Sequence, residues 1–284
     1  MGKLGTTKNI KKTIDENKFN IKKKFGQNFL TDQNILSKIA NVCDITKETL
    51  VIEIGPGLGS LTEHLLKKSK RVLAYEIDSD LIPILKETFA GENLTLVHKD
   101  ILKSSIDEDI KELNEEFDNI VVVANLPYYI TTPIIMKVLE ESSVVKEMVL
   151  MMQMEVARRL TSDPSTKDYN SLSIAIQYKT VAKLAIKVPR TVFIPAPNVD
   201  SAIVHLKVIE NREITPVDEK KFYKLVRSAF GQRRKTLVNN YFSQLNIDKT
   251  YMSDLLEELG YDSRVRAESL SVEDFIRISD NIKL

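Results

Sequence analysis

The most specific chemistry in this 284-residue chain sits in five consecutive residues, Asn125-Leu126-Pro127-Tyr128-Tyr129. A side-chain amide oxygen on Asn125 and the Leu126 backbone carbonyl, stiffened by the proline, can accept both hydrogens of an exocyclic amine. That keeps electron density on the amine nitrogen and improves it as a nucleophile. Tyr128 offers an aromatic face on which a base taken out of its helix can stack. A second group is the turn Glu53-Ile54-Gly55-Pro56-Gly57-Leu58-Gly59, where glycines allow close backbone approach to a ligand at a helix start. A nicotinamide-binding turn requires G-x-G-x-x-G, and here the third glycine comes one residue early. Two acids complete the set. Glu76 lies 17 residues after Gly59 and suits ribose hydroxyls. Asp100 suits the amino group of an adenine. Together they point to a nucleoside cofactor.

Positioning these groups requires strands that end side by side. Short apolar runs predict strands at 50–54, 71–77, 94–97, 120–124 and 148–152, alternating with helical stretches. This pattern implies a parallel sheet covered on both faces. Runs at 184–188 and 202–208 are separated by a Pro-containing loop and predict a hairpin, with an antiparallel strand at the sheet edge. A helix is expected from Thr31-Asp32 onward, carried by Ile35, Leu36, Ile39 and Val42. Ser60-x-x-Glu63 and Ser271-x-x-Asp274 read as capping boxes, the second with Leu270 and Phe275 as a staple. Beyond Glu210 the β signal stops. Phe222, Leu225, Val226, Ala229 and Phe230 form one apolar helical face, and Gly260 reads as a helix end. The division expected is 1–20 as a flexible basic tail, 21–208 as the catalytic domain and 209–284 as a small all-helical domain.

Composition narrows the function classes. Lys and Arg total 41 against 40 Asp and Glu, so any nucleic-acid contact must come from local patches. Eight Lys lie in residues 1–24, and Arg227, Arg233, Arg234 and Lys235 form a second basic block suited to phosphates. A single cysteine, Cys43, excludes an intramolecular disulfide, and with three histidines no metal site is expected. No secretory signal or membrane span is seen, so a soluble, cytoplasmic protein is expected.

These motifs occur in an order that resembles the rRNA adenine N6-dimethyltransferases. Further matching stretches are Lys24-Phe25-Gly26-Gln27-Asn28-Phe29-Leu30, Gln153 to Leu160, and Phe193-x-Pro195-x-Pro197-x-Val199-Asp200-Ser201. Phe230 to Leu237 and Arg266-Ala267-Glu268-x-Leu270 follow, so the likeness spans roughly residues 20–280. Within the family, the chain is most similar to the bacterial branch that dimethylates two adjacent adenosines near the 3′ end of 16S rRNA in the small ribosomal subunit. The resemblance implies a Rossmann-like, S-adenosylmethionine-dependent methyltransferase sheet with a helical RNA-binding C-terminal domain and a role in subunit biogenesis; a monomer is the default expectation. It implies that Asn28 and Leu30 touch the methionine part of the cofactor. Gly55 and Gly57 would form its loop, Glu76 would hold the ribose, and Asp100 and Ile101 the adenine. Asn125, Leu126 and Tyr128 would handle the target base, and Phe193 would close on its other face. One departure is Tyr169-Asn170-Ser171, where the family often has glycine at the second position; a left-handed turn at Asn170 is expected. Competing readings are an enzyme of the antibiotic-resistance type acting on large-subunit rRNA, a DNA adenine methyltransferase, and a non-catalytic assembly factor.

Overall fold

The computed structural model describes residues 4–17, 19, 22 and 26–283. Lys24 and Phe25 of the N-terminal motif, and Lys3, Lys18 and Lys23 of the basic segment, lie outside them. Two compact units are present, one comprising residues 1–157 and 183–208, the other 158–182 and 209–284. Among the described residues, no helix is long and apolar enough to cross a membrane.

The first unit opens on helix α1 (Thr7–Glu16), capped by the Thr6 hydroxyl, which accepts from the Asn9 amide. This corrects the expected tail. Ile10 is buried in a cluster with Phe29, Leu58, Leu81, Leu85 and Phe89, and that burial holds the helix against the unit. The lysines hid this, because one buried apolar residue among charges leaves little periodic signal. A short strand β1 (Phe29–Leu30) and helix α2 (Gln33–Ile39) follow, with Asp32 capping the helix as its side chain accepts from Asn34 and Ile35.

The sheet elements then alternate with helices: β2 (Thr49–Ile54), α3 (Thr62–Lys68), β3 (Arg71–Glu76), α4 (Leu81–Thr88), β4 (Leu94–His98), α5 (Ile106–Lys111), β5 (Asn119–Asn125), α6 (Thr131–Glu141) and β6 (Glu147–Gln153). Helices α7 (Met154–Leu160) and α8 (Ser171–Lys179) lead to β7 (Thr180–Val188), the two-residue β8 (Phe193–Ile194) and β9 (Ser201–Val208). The strand order is β4-β3-β2-β5-β6-β9-β7. The first five run parallel, and β9 runs antiparallel to β6. Residues two apart along the strands, such as Val51, Val72 with Ala74, Val121 with Val123, and Val149 with Met151, pack with Leu36, Ile39, Leu61 and Leu65 on one face. Their neighbours Leu50, Ile52, Leu73, Val122 and Leu150 are buried on the other. Two covered faces explain why these strands read as continuous apolar runs.

The Ser60 capping box is not formed. Helix α3 has Leu61 at its N-cap with no side-chain cap bond, and the Ser60 hydroxyl is buried without a hydrogen-bond partner among the described residues. Glu63 instead accepts from the Leu4 amide at 2.9 Å and from Lys67 at 2.7 Å. Gly59 is fixed by two constraints: its φ is +81°, and a Cβ there would lie 2.4 Å from Phe89 Cε2. We therefore expect Gly59→Ala to destabilise the chain by about 2–3 kcal/mol, combining left-handed strain with overpacking. Thermal unfolding checks this, with a fall in Tm of roughly 5–10 °C expected.

The second unit is helical, with α9 (Glu219–Ala229), α10 (Leu237–Leu245), α11 (Lys249–Glu258) and α12 (Val272–Asn281). The boundary expected at residue 209 is corrected, because 158–182 belongs here too. Tyr169, Ile174 and Tyr178 are buried in one cluster with Phe222, Leu225, Tyr241, Leu256 and Phe275. Asn170 does not adopt a left-handed turn. Its φ is −159°, and it forms a capping box with Ser173 at the start of α8. The Ser271–Asp274 box and the Gly260 helix end (φ +86°) form as expected.

Candidate active site

Four parallel neighbours end along one edge of the sheet. The registers pair Ile54 with Tyr75 and Ala124, and Glu76 with His98. The residues that follow these ends, Gly55, Asp100 and Leu126, therefore line up beside Glu76 and Asn125. That edge is where open α/β sheets bind ligands. A cleft of about 240 Å³ opens there. It is lined by Asn28, Leu30, Gly55, Gly57, Glu76, Asp100, Ile101, Asn125, Leu126 and Tyr128, so the fold gathers ten predicted residues from five chain segments.

Each is positioned by identifiable bonds. Glu76 accepts from the Gly57 amide at 3.2 Å through Oε2 and from the Asp78 amide at 2.8 Å through Oε1. A carboxylate has about four acceptor sites, so both oxygens keep capacity for further donors. Burial holds the Glu76 carboxyl above its usual range, opposed by those backbone donors. Asp100 caps the single turn Ile101–Lys103 through its bond from the Leu102 amide. The positive φ of Gly55 (+71°) and Gly57 (+59°) shapes the loop between β2 and α3, and beyond Gly55 a Cβ would meet open space.

The N-terminal segment closes one side of the cleft. Gln27 donates to Asp78 Oδ2 at 2.8 Å, and Lys22 reaches Asp78 Oδ1 at 2.5 Å and Asp80 at 2.7 Å. The β1–β8 ladder pairs Phe29 with Ile194 and Leu30 with Phe193, which joins two motifs more than 160 residues apart. Asn125 donates through Nδ2 to the Asn28 carbonyl at 3.1 Å. With the amide nitrogen engaged, Oδ1 is left as the acceptor. The Tyr128 hydroxyl is fixed by Ser201 Oγ at 2.7 Å, and burial pushes its phenol up.

Phe193 corrects an expectation. It is buried among Leu30, Val188 and Ile203 rather than lining the cleft, because its main chain is held by the ladder to Leu30. In this conformation it supports the cleft wall and has no face free for a base.

The sequence reading missed three groups. Asp78 and Ser201 were visible only as members of motifs, with no signal for their partners. Glu53 is 1% exposed, lines the cleft, and its Oε2 has no hydrogen-bond partner among the described residues. An acid inside an apolar strand was the available clue. Burial, opposed by the Thr62 hydroxyl and helped by the Glu76 charge, pushes its carboxyl up to about 8. The folded state thus holds a proton that the unfolded chain releases near its ordinary value of 4.5, so stability falls as pH rises from 4.5 to about 8. Glu53→Gln removes that titration. Its Tm relative to the parent chain is expected to rise by about 8–12 °C between pH 5 and pH 9, measured by calorimetry. A constant difference across that range would contradict the assignment.

The basic candidates lie in the second unit. Arg227, Arg233, Arg234 and Lys235 are all exposed, at the end of α9 and in the turn before α10. Arg233 is held by the Lys167 carbonyl and by Glu268 at 3.5 Å, which explains why two separate C-terminal motifs occur together.

A parallel sheet with an antiparallel strand between its last two members, and an acid-lined cleft at the strand ends, defines a Rossmann-like methyltransferase. The model of the ribosomal RNA adenine dimethylase family matches residues 18–284, and the chain belongs to that family. It is 47% identical over 281 residues to the ribosomal RNA small subunit methyltransferase A of Bacillus pumilus, covering 98% of this chain and 96% of that protein. It is 47% identical over 284 residues to the protein of the same name from Bacillus cytotoxicus, covering 99% and 97%. Among solved structures, a dimethyladenosine transferase from Plasmodium falciparum is similar at TM-score 0.74 and 30% identity, over 88% of this chain and 95% of that one. The 23S rRNA methyltransferase ErmE shares the fold at TM-score 0.68 and 24% identity, over 88% and 98%.

The donor set fits S-adenosylmethionine, the cofactor on which this activity depends. Glu53, whose Oε2 has no partner among the described residues, lines the cleft with the acceptors of Glu76 and Asp100, a set suited to a ligand rich in N–H and O–H donors, and the glycine loop leaves room for one.

Proposed function

We propose that the chain dimethylates N6 of two adjacent adenosines near the 3′ end of 16S rRNA, acting on the immature small subunit as a cytoplasmic monomer during subunit assembly. The observation that carries this reading is the Asn125–Leu126–Tyr128 arrangement at the cofactor cleft, with Asn125 Nδ2 already committed to the Asn28 carbonyl. In this reading Glu76 holds the ribose, Asp100 and Ile101 the adenine, and Asn28, Leu30, Gly55 and Gly57 enclose the methionine part.

When bound, the cofactor supplies an activated methyl group on a sulfonium. The chain's own residues provide position and electrostatics. Asn125 Oδ1 and the Leu126 carbonyl accept the two amine hydrogens, which orients the nitrogen lone pair. Tyr128, its ring fixed by Ser201, stacks on the base and excludes water from one side. The amide is not basic, so no side chain removes the amine proton, which passes to solvent once the nitrogen is alkylated. The second methylation has one hydrogen fewer to satisfy. Cys43 takes no part, since burial pushes its thiol up to about 12.

Arg227, Arg233, Arg234 and Lys235 supply phosphate contacts that are salt-sensitive and largely independent of sequence. The near-full-length identity to small-subunit enzymes supports the 16S substrate over the large-subunit alternative. Leu126, where DNA adenine methyltransferases carry proline, supports RNA over DNA. Rates of methyl incorporation test the reading. Undermethylated small subunits should be modified much faster than protein-free rRNA, and large subunits not at all. Equal rates on free rRNA would overturn the assembled substrate, and incorporation confined to large subunits would overturn the proposed function.

A further inference from the structure

Tyr128 and Tyr129 are adjacent but treated oppositely by the fold. The Tyr128 hydroxyl is anchored at 2.7 Å to Ser201, whereas Tyr129 is left 62% exposed. An aromatic ring is among the costliest side chains to leave in water, and here it lies on the rim of the cleft. Its placement is defined. The ring lies beside the Gly26 turn (φ +59°), where a Cβ would make ordinary van der Waals contact with Tyr129 Cε1 at 3.5 Å and Cδ1 at 3.7 Å. The ring thus neighbours the Gly26 turn while most of its surface remains exposed.

This inference rests on the proposed substrate, in which two target adenosines are neighbours. When one occupies the cleft beside Asn125 and Tyr128, the other is one phosphodiester away, at the rim. Extracting the first base deprives the second of a stacking partner. We propose that Tyr129 forms a second base subsite, stacking on the nucleobase adjacent to the adenosine being methylated. Stacking uses the π-face and not the N6 edge, so the subsite accepts an unmodified or a dimethylated neighbour. The same residue therefore serves both rounds of modification, in either order.

Tyr129→Ala and Tyr129→Phe separate this role from a structural one. With undermethylated small subunits as substrate, Tyr129→Ala is expected to raise the KM for subunits about tenfold, at the low end of what loss of base–aromatic stacking gives. The KM for S-adenosylmethionine should not change, and Phe should restore the subunit KM to within about twofold, because the ring and not the hydroxyl carries the stack. An unchanged subunit KM in Tyr129→Ala overturns the inference. So does a parallel rise in both KM values, or a Phe variant as impaired as Ala. Failure of the unmodified protein to methylate small subunits overturns the proposed function, and this inference with it. Activity there together with an indifferent Tyr129 overturns the inference alone.

Discussion

Asn125→Ala is expected to lower kcat by roughly 10²–10³-fold while leaving the chain folded and able to bind both ligands. The size follows from what removal of one preorganised polar group from a catalytic centre costs. The side chain is half-buried and donates to the Asn28 carbonyl, so Tm should move by only a few degrees. The cofactor Kd should rise less than about tenfold, since Glu76 and Asp100 remain. Asn125→Asp is expected to fall between the two. It keeps an acceptor for the amine but loses the donor to Asn28 and places an oxygen against that carbonyl. Steady-state kinetics with isothermal titration of the cofactor would check both variants. A fall in kcat matched by an equal loss of cofactor affinity would assign Asn125 to binding instead.

Glu76→Ala should give the opposite pattern. The two hydrogen bonds proposed from ribose hydroxyls to this carboxylate are together worth about 3 kcal/mol, or roughly 100-fold in cofactor affinity. The substitution also leaves the Gly57 and Asp78 amides without their acceptor, which loosens the glycine loop. At saturating cofactor, kcat should recover to within a fewfold of the parent value, because Asn125, Leu126 and Tyr128 are untouched. Glu76→Gln keeps one acceptor and should be intermediate. A kcat that stays low at saturation would show that Glu76 acts on the reacting groups.

The sheet and its ligand edge were legible because burial on both faces turns the central strands β2, β3, β5 and β6 into apolar runs. The expected 50–54, 120–124 and 148–152 differ from Thr49–Ile54, Asn119–Asn125 and Glu147–Gln153 by no more than one residue at either end. The acids and the amide at the strand ends were legible because parallel topology aligns those ends. The β1–β8 ladder was not legible, since two-residue strands have no period and their partners are far apart in the chain. Phe193, which the resemblance assigns to a face of the base pocket, is held by that ladder in the wall behind it. Ser60 misled because a buried hydroxyl and a Glu63 drawn to Leu4 and Lys67 replaced the local box with longer-range contacts. The placement of residues 158–182 with the helical unit depends on Tyr169, Ile174 and Tyr178 meeting α9 and α12, which only tertiary packing decides.

The central claim is that this cleft methylates two neighbouring adenosines of the small subunit. Its most direct test is to incubate undermethylated small subunits with the protein and isotopically labelled S-adenosylmethionine, then digest the rRNA and map the label by mass spectrometry. Two adjacent N6,N6-dimethyladenosines in the 3′ region of 16S rRNA, absent with Asn125→Ala, are predicted. Label at any other nucleotide, or tight subunit binding with no label, would contradict the account.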